Sequence, residues 1–100
     1  MKTEITAAIQ TGTCLTLTYD GKPKTVEVHA YGLSNKDSAP VLRVFQVDGE
    51  SSRPLPSWAL LRLDKVTDIT PTDIPSQAPR DGYKMNDSHM SEIYAQITTV

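Results

Sequence analysis

Apolar positions recur along this chain with two periods, and the change from one to the other marks its elements. Ile5, Ala8 and Ile9 stand at i, i+3 and i+4 behind Thr3 and Glu4, one apolar stripe of a short helix that Gly12 can close. From Cys14 the period becomes two. Leu15, Leu17 and Tyr19 alternate with Cys14, Thr16 and Thr18, which predicts a strand. Asp20-Gly21 then predicts a type I′ hairpin turn, because that turn needs positive φ at both central residues. The return strand covers 24–31, with Val26, Val28 and Ala30 on one face and Thr25, Glu27, His29 and Tyr31 on the other. Gly32 is expected to end or kink it.

The polar run Ser34-Asn35-Lys36-Asp37-Ser38 and the Ala39-Pro40 pair read as a loop. After it, 41–47 is a nearly continuous apolar strand interrupted by Arg43 and Gln46, and it is expected to be central. Asp48-Gly49 opens a second turn, followed by a loop with Ser51, Ser52, Arg53, Pro54 and Pro56 that exceeds a tight hairpin. A fourth strand covers 58–63, and Lys65, Val66 and Ile69 suggest a turn or short strand that closes a barrel. Pro71, Pro75 and Pro79 mark an extended connector over the surface. Asn86 or Asp87 can cap a final helix with Met90, Ile93 and Ile97 on one stripe and Tyr94 beside it. The expected fold is mainly β, a small, strongly bent barrel of four or five strands with a leading helix over 1–70. Residues 71–100 are expected to be a proline-rich arm and C-terminal helix packed on the same domain.

Composition narrows the class. One hundred residues suffice for one domain, and 38% hydrophobic with 22% charged residues, in no long run of one sign, describes a chain that folds. No stretch reaches the roughly 18 apolar residues of a membrane span, and the start lacks a secretory layout, so a cytoplasmic location is expected. The single cysteine, Cys14, cannot form an internal disulfide and is too little for a zinc site. It reads as a small buried hydrophobe on a strand. A formal net charge of −2 removes the basic field of a general DNA-binding protein. Nucleic-acid binding would need Lys22, Lys24, Arg43, Arg53, Arg62 and Lys65 to cluster on one surface.

Catalytic motifs are missing: there is no nucleophile elbow, zinc-protease helix, phosphate-binding glycine loop or calcium loop. The chain is therefore expected not to be an enzyme, and a hydrolase using His29 with Cys14 is a minor alternative. His29 and His89 lack metal-ligand neighbours, so neither a metal nor a cofactor is expected. His29 shares its predicted face with Glu27 and Tyr31, a polar stripe that either lines a pocket or is the wetted outside of the sheet. Arg43, between Val41 and Phe45, and Arg62, sharing a face with Trp58 and Leu60, are each held against apolar neighbours. Such arginines bind phosphate or carboxylate, or pair internally with Glu27, Asp64 or Asp68. Trp58, at the mouth of the long loop, either stacks on a ligand or belongs to the core. Arg80 and Tyr83 either pack over the barrel or form an interface.

In order along the chain, 5–9, 15–19, 25–32, 41–46 and 61–66 (ITAAI, LTLTY, TVEVHAYG, VLRVFQ, LRLDKV) resemble the WYL-domain family, and the resemblance covers about 4–70. A tail like Arg80-Asp81-Gly82-Tyr83 is similar to that of short stand-alone members. Of the family's naming residues, expected near Val41 and Leu42, the leucine is kept, and Ala59 stands where an arginine is usual. The resemblance implies an Sm-like barrel and a sensing module for nucleic acid or an anionic small molecule. The expected function is thus a stand-alone, non-catalytic regulator that binds a nucleotide or short single-stranded nucleic acid through His29, Tyr31, Arg43, Trp58 and Arg62. The alternative is a protein-interaction adaptor, an accessory or antagonist factor of a phage-defence system that acts by homo-oligomerising or capping a protein partner.

Overall fold

Where the apolar stripe of the helix ends, the chain reverses on a glycine. The computed structural model describes residues 2–98, with side chains from Thr3. Helix α1 (Lys2–Thr11) buries Ile5 and Ala8, and Gly12 closes it at φ 71°. Strand β1 (Thr13–Tyr19) turns through Asp20 and Gly21, both at positive φ (51° and 81°), into β2 (Lys22–Ser34), as the Asp-Gly pair predicts. Strands β3 (Pro40–Gly49) and β4 (Ser57–Arg62) follow. A 3-10 turn (Leu63–Lys65) leads to β5 (Val66–Pro75), and β6 (Met90–Gln96) comes last.

All six strands join one antiparallel sheet in the order β4-β3-β2-β1-β5, with β6 on β2. Strands β4 and β5 lie at opposite ends of this row, yet one 3-10 turn connects them, so the sheet has to curl. It does not close. The expected barrel needs a β4–β5 ladder; instead β5 pairs with β1, and among the described residues no strand meets the outer edge of β4. The expected central position of β3 falls to β2, which pairs with β1, β3 and β6.

The predicted C-terminal helix is a strand. Pairing of β1 with β2 ends at Leu15↔Val26, which leaves the far half of β2 with unanswered backbone groups, and β6 answers them from Ala30 to Ser34. Asn86, one of the two residues expected to cap a helix, has φ 58°. Gly32 does not end β2; a Cβ there would strike the Glu92 carbonyl oxygen, so the missing side chain is what admits β6. The proline connector is likewise half strand. Pro71 and Pro75 pair with Leu15 and Thr13 on an edge strand, where a missing N–H costs no ladder on the open side.

The inner face of the sheet holds the main core: Leu15, Leu17, Val26, Val28, Tyr31, Leu42, Val44 and Leu61 under α1. Val28 and Tyr31 are three apart, an odd step that simple alternation forbids. A bulge at His29 supplies it, since Val28 opposes Val44 while Ala30 opposes Arg43. Among the described residues no helix is long and apolar enough to cross a membrane.

Candidate functional site

On the outer face, cross-strand partners form short rows. Glu27, Phe45 and Trp58 face one another across β2, β3 and β4, and Ala30, Arg43 and Leu60 form the next row. Residues 76–89, between β5 and β6, are laid over these rows. Both a wetted outer face and an open pocket are thus excluded for the Glu27–His29 stripe: Glu27 is 2% exposed and His29 is fully buried.

Two pins hold this strap. At the first, Glu27 accepts from Arg80 Nε (2.7 Å) and Nη2 (3.2 Å) and from the Gln77 N–H (2.7 Å). Burial alone would raise the Glu27 carboxyl, but these donors hold it below its ordinary value. The Arg80 guanidinium also lies over the Phe45 ring, 4.8 Å from its centroid. His29 Nε2 accepts from the Arg80 N–H (3.1 Å), so it carries no proton, and Nδ1 donates to the Glu27 carbonyl (3.0 Å). Burial keeps this imidazole neutral by pushing its pKa down. Tyr83 rests against His29 at 5.1 Å between ring centroids and donates its hydroxyl to the Ile97 carbonyl.

At the second pin, Arg43 Nε donates to Asp87 at 2.7 Å, with Nη2 reaching Asp87 and His89 Nδ1 (3.1 Å). Burial would raise Asp87, yet Arg43 and the His89 N–H bring it below the usual carboxylate range. Arg43 therefore has an internal partner, but not Glu27, Asp64 or Asp68. His89 Nδ1 also lies 3.2 Å from Asp87 Oδ1, and its side chain is 58% exposed.

A groove runs beside this second pin in two compartments that share Arg43, Trp58 and His89. One, of about 420 Å³, lies under the strap and includes Gly82, Tyr83 and Asp87. The other, of about 470 Å³, runs along β4 and is lined by Lys24, Gln46, Arg53 and three serines, with no carboxylate among its lining residues. Lys24 Nζ donates to Gln46 Oε1 (3.0 Å) and to the Glu50 carbonyl (2.7 Å), and Arg53 Nη1 reaches only the Trp58 carbonyl at 3.5 Å. Both cations thus have neutral partners among the described hydrogen bonds and no described ion pair. Burial pushes the Lys24 ammonium down from its ordinary value.

Comparison with protein-family models, curated proteins and solved structures finds no match.

Of the five residues expected to form a site, Arg43 and Trp58 line the groove together. His29 sits behind Trp58, ring centroids 4.6 Å apart, and has no surface to offer a ligand. Tyr31 is across the sheet in the main core, moved there by the bulge. Arg62 lies apart from both compartments, paired with Asp37 at 2.8 Å and Asp64 at 3.1 Å. Lys24 and Arg53 belong to the basic set read from sequence, but nothing local singles them out. His89 comes from a segment expected to lead into a helix. Cys14 is buried with a raised thiol pKa, chiefly through burial, and its thiol donates to the Pro75 carbonyl.

Proposed function

We propose that this chain is a non-catalytic module that binds an anionic ligand in the groove beside Trp58. The observation that carries the reading is the pairing of Lys24 and Arg53, two cations with only neutral hydrogen-bond partners, in a compartment whose lining has no carboxylate. An oxyanion placed there meets both charges without displacing an ion pair. Arg43, already neutralised by Asp87, shapes the groove and holds its wall. Trp58 adds an apolar surface between the compartments, against which a base or an aliphatic chain can lie.

The oxyanion can be the phosphate of a nucleotide or short single strand, or the carboxylate of a protein. The WYL-like order of strand segments is support for a sensing role from the sequence side. Calorimetric titration at low salt with a nucleoside triphosphate, a thymidine hexanucleotide and polyglutamate tests the reading. At least one should bind wild type and lose roughly tenfold or more in affinity to Lys24→Ala/Arg53→Ala, as expected for two charge-assisted contacts. Absence of heat with all three would overturn it.

A further inference from the structure

Strand β4 is paired on one side only. Its inner side meets β3 from Ser57 to Arg62, and no described strand meets its outer side. In an antiparallel strand the N–H and C=O of one residue point to the same side, and that side alternates along the chain. The Arg62 N–H donates to the Tyr19 hydroxyl (3.2 Å), and the Trp58 C=O accepts from Arg53 (3.5 Å). Trp58, Leu60 and Arg62 therefore turn their backbone groups away from β3. Tyr19 and Arg53 cover two of these groups. The N–H and C=O of Leu60 and the N–H of Trp58 have no partner among the described residues.

Both Trp58 and Leu60 line the basic compartment. Its lining takes Trp58 and Leu60, whose side chains lie on the outer face, together with Ser57 and Ala59, whose side chains lie on the other. The compartment thus reaches residues of both faces of β4, as a space along its edge does. Exposed edges of this kind are normally blunted, because they template the addition of another strand. Here the blunting is partial, and the uncovered stretch is flanked by Lys24 and Arg53.

We propose that the groove's anionic occupant is an acidic, extended peptide segment of a protein partner, which adds to the outer edge of β4 as a further strand. This rests on the anion-binding reading and names its ligand class. The added segment exchanges a pair of backbone hydrogen bonds with Leu60, and its carboxylates meet Lys24 and Arg53. A carboxylate draws Arg53 off the Trp58 carbonyl, which frees that carbonyl for the ladder, so charge recognition and strand addition assist each other. A nucleotide satisfies the cations but leaves the extended row at Leu60 unanswered. Tyr19 on Arg62 and the 3-10 turn beyond it stop the addition after a few residues.

The test uses the full chain, labelled with nitrogen-15, and capped hexapeptides that alternate Glu and Val. The peptide should shift the Trp58 and Leu60 amides and slow Leu60 hydrogen exchange by roughly tenfold or more at saturation. The Lys-Val counterpart should do neither, and Arg53→Ala should weaken the Glu-Val peptide about fivefold. N-methylation at alternate peptide amides keeps every charge but removes the donors facing β4, so one of its two registers should abolish binding. Equal binding by both N-methylated registers would overturn strand addition. Shifts in the groove with a thymidine hexanucleotide but not with the peptide would overturn the peptide and leave anion binding standing. No response to either ligand would sink both.

Discussion

The carboxylate of Glu27 and the guanidinium of Arg80, 53 residues apart in sequence, meet at 2.7 Å beneath the strap that walls the groove. Removing the charge from Glu27 leaves Arg80 without its counter-ion and the Gln77 N–H with a poorer acceptor. Glu27→Gln should cost about 2–3 kcal/mol in urea unfolding, below the roughly 3–5 kcal/mol of a fully buried pair, because Arg80 is 27% exposed and regains water. Because the strap carries Gly82 and Tyr83 into the groove, the same variant should also weaken the ligand.

Acid should act first through His29. Its folded-state pKa lies below the ordinary 6.5 or so of an imidazole, so between those two values the unfolded chain holds more protons than the folded one. The stability that this group contributes is full above the unfolded value and is lost as pH falls from there through the folded value. A second loss should follow below the ordinary carboxylate range, where Glu27 and Asp87, both depressed, take up protons. Melting temperature measured against pH should fall below about 6.5 in wild type. In His29→Gln, which can still donate to Glu27 and accept from Arg80, only the carboxylate step should remain.

Arg43 and Arg53 should separate stability from binding. Arg43→Ala strands Asp87, only 10% exposed, and should lower the melting temperature by roughly 5–10 °C. Arg53→Ala removes an exposed side chain held by one long hydrogen bond, and should leave the melt within about 2 °C while weakening the ligand. Thermal melts beside calorimetry check both, and equal losses of stability would contradict the division of roles.

Gly32→Ala places a methyl against the Glu92 backbone, which β6 can accommodate only by moving off β2. The variant should lose roughly 1–3 kcal/mol, as overpacked positions do. Amide exchange should rise along Met90–Gln96 before it rises elsewhere, which hydrogen-exchange spectra will show.

Local chemistry explains which parts of this fold are legible in the sequence. The helix stripe of Ile5, Ala8 and Ile9, the Asp20-Gly21 turn and the alternation through Leu17 are set by neighbours a few residues away, and they read correctly. Residues 90–97 read as a helix because Met90, Ile93 and Ile97 fit a stripe, yet an unpaired edge some sixty residues upstream decides their state. The site divides the same way. Trp58 and Arg43 are visible as large groups among apolar strands, whereas Lys24 joins them from β2, Arg53 from the β3–β4 loop and His89 from the strap, neighbours only in the folded chain. Arg80 and Glu27 carry no sequence mark of the ion pair they form.

The bulge at His29 works as a phase reset within one continuous strand. Before it, the even-numbered residues Val26 and Val28 feed the main core; after it, the odd-numbered Tyr31 does, and the even-numbered Ala30 joins Val41 and Met90 outside. Deleting that one residue would leave Val28 and Ala30 as consecutive residues opposite Val44 and Arg43, a regular ladder with Tyr31 still in the core. Flattening the bulge with His29 kept in the ladder would instead turn Tyr31 to the groove side, where alternation alone places it, at the expense of the core it now fills.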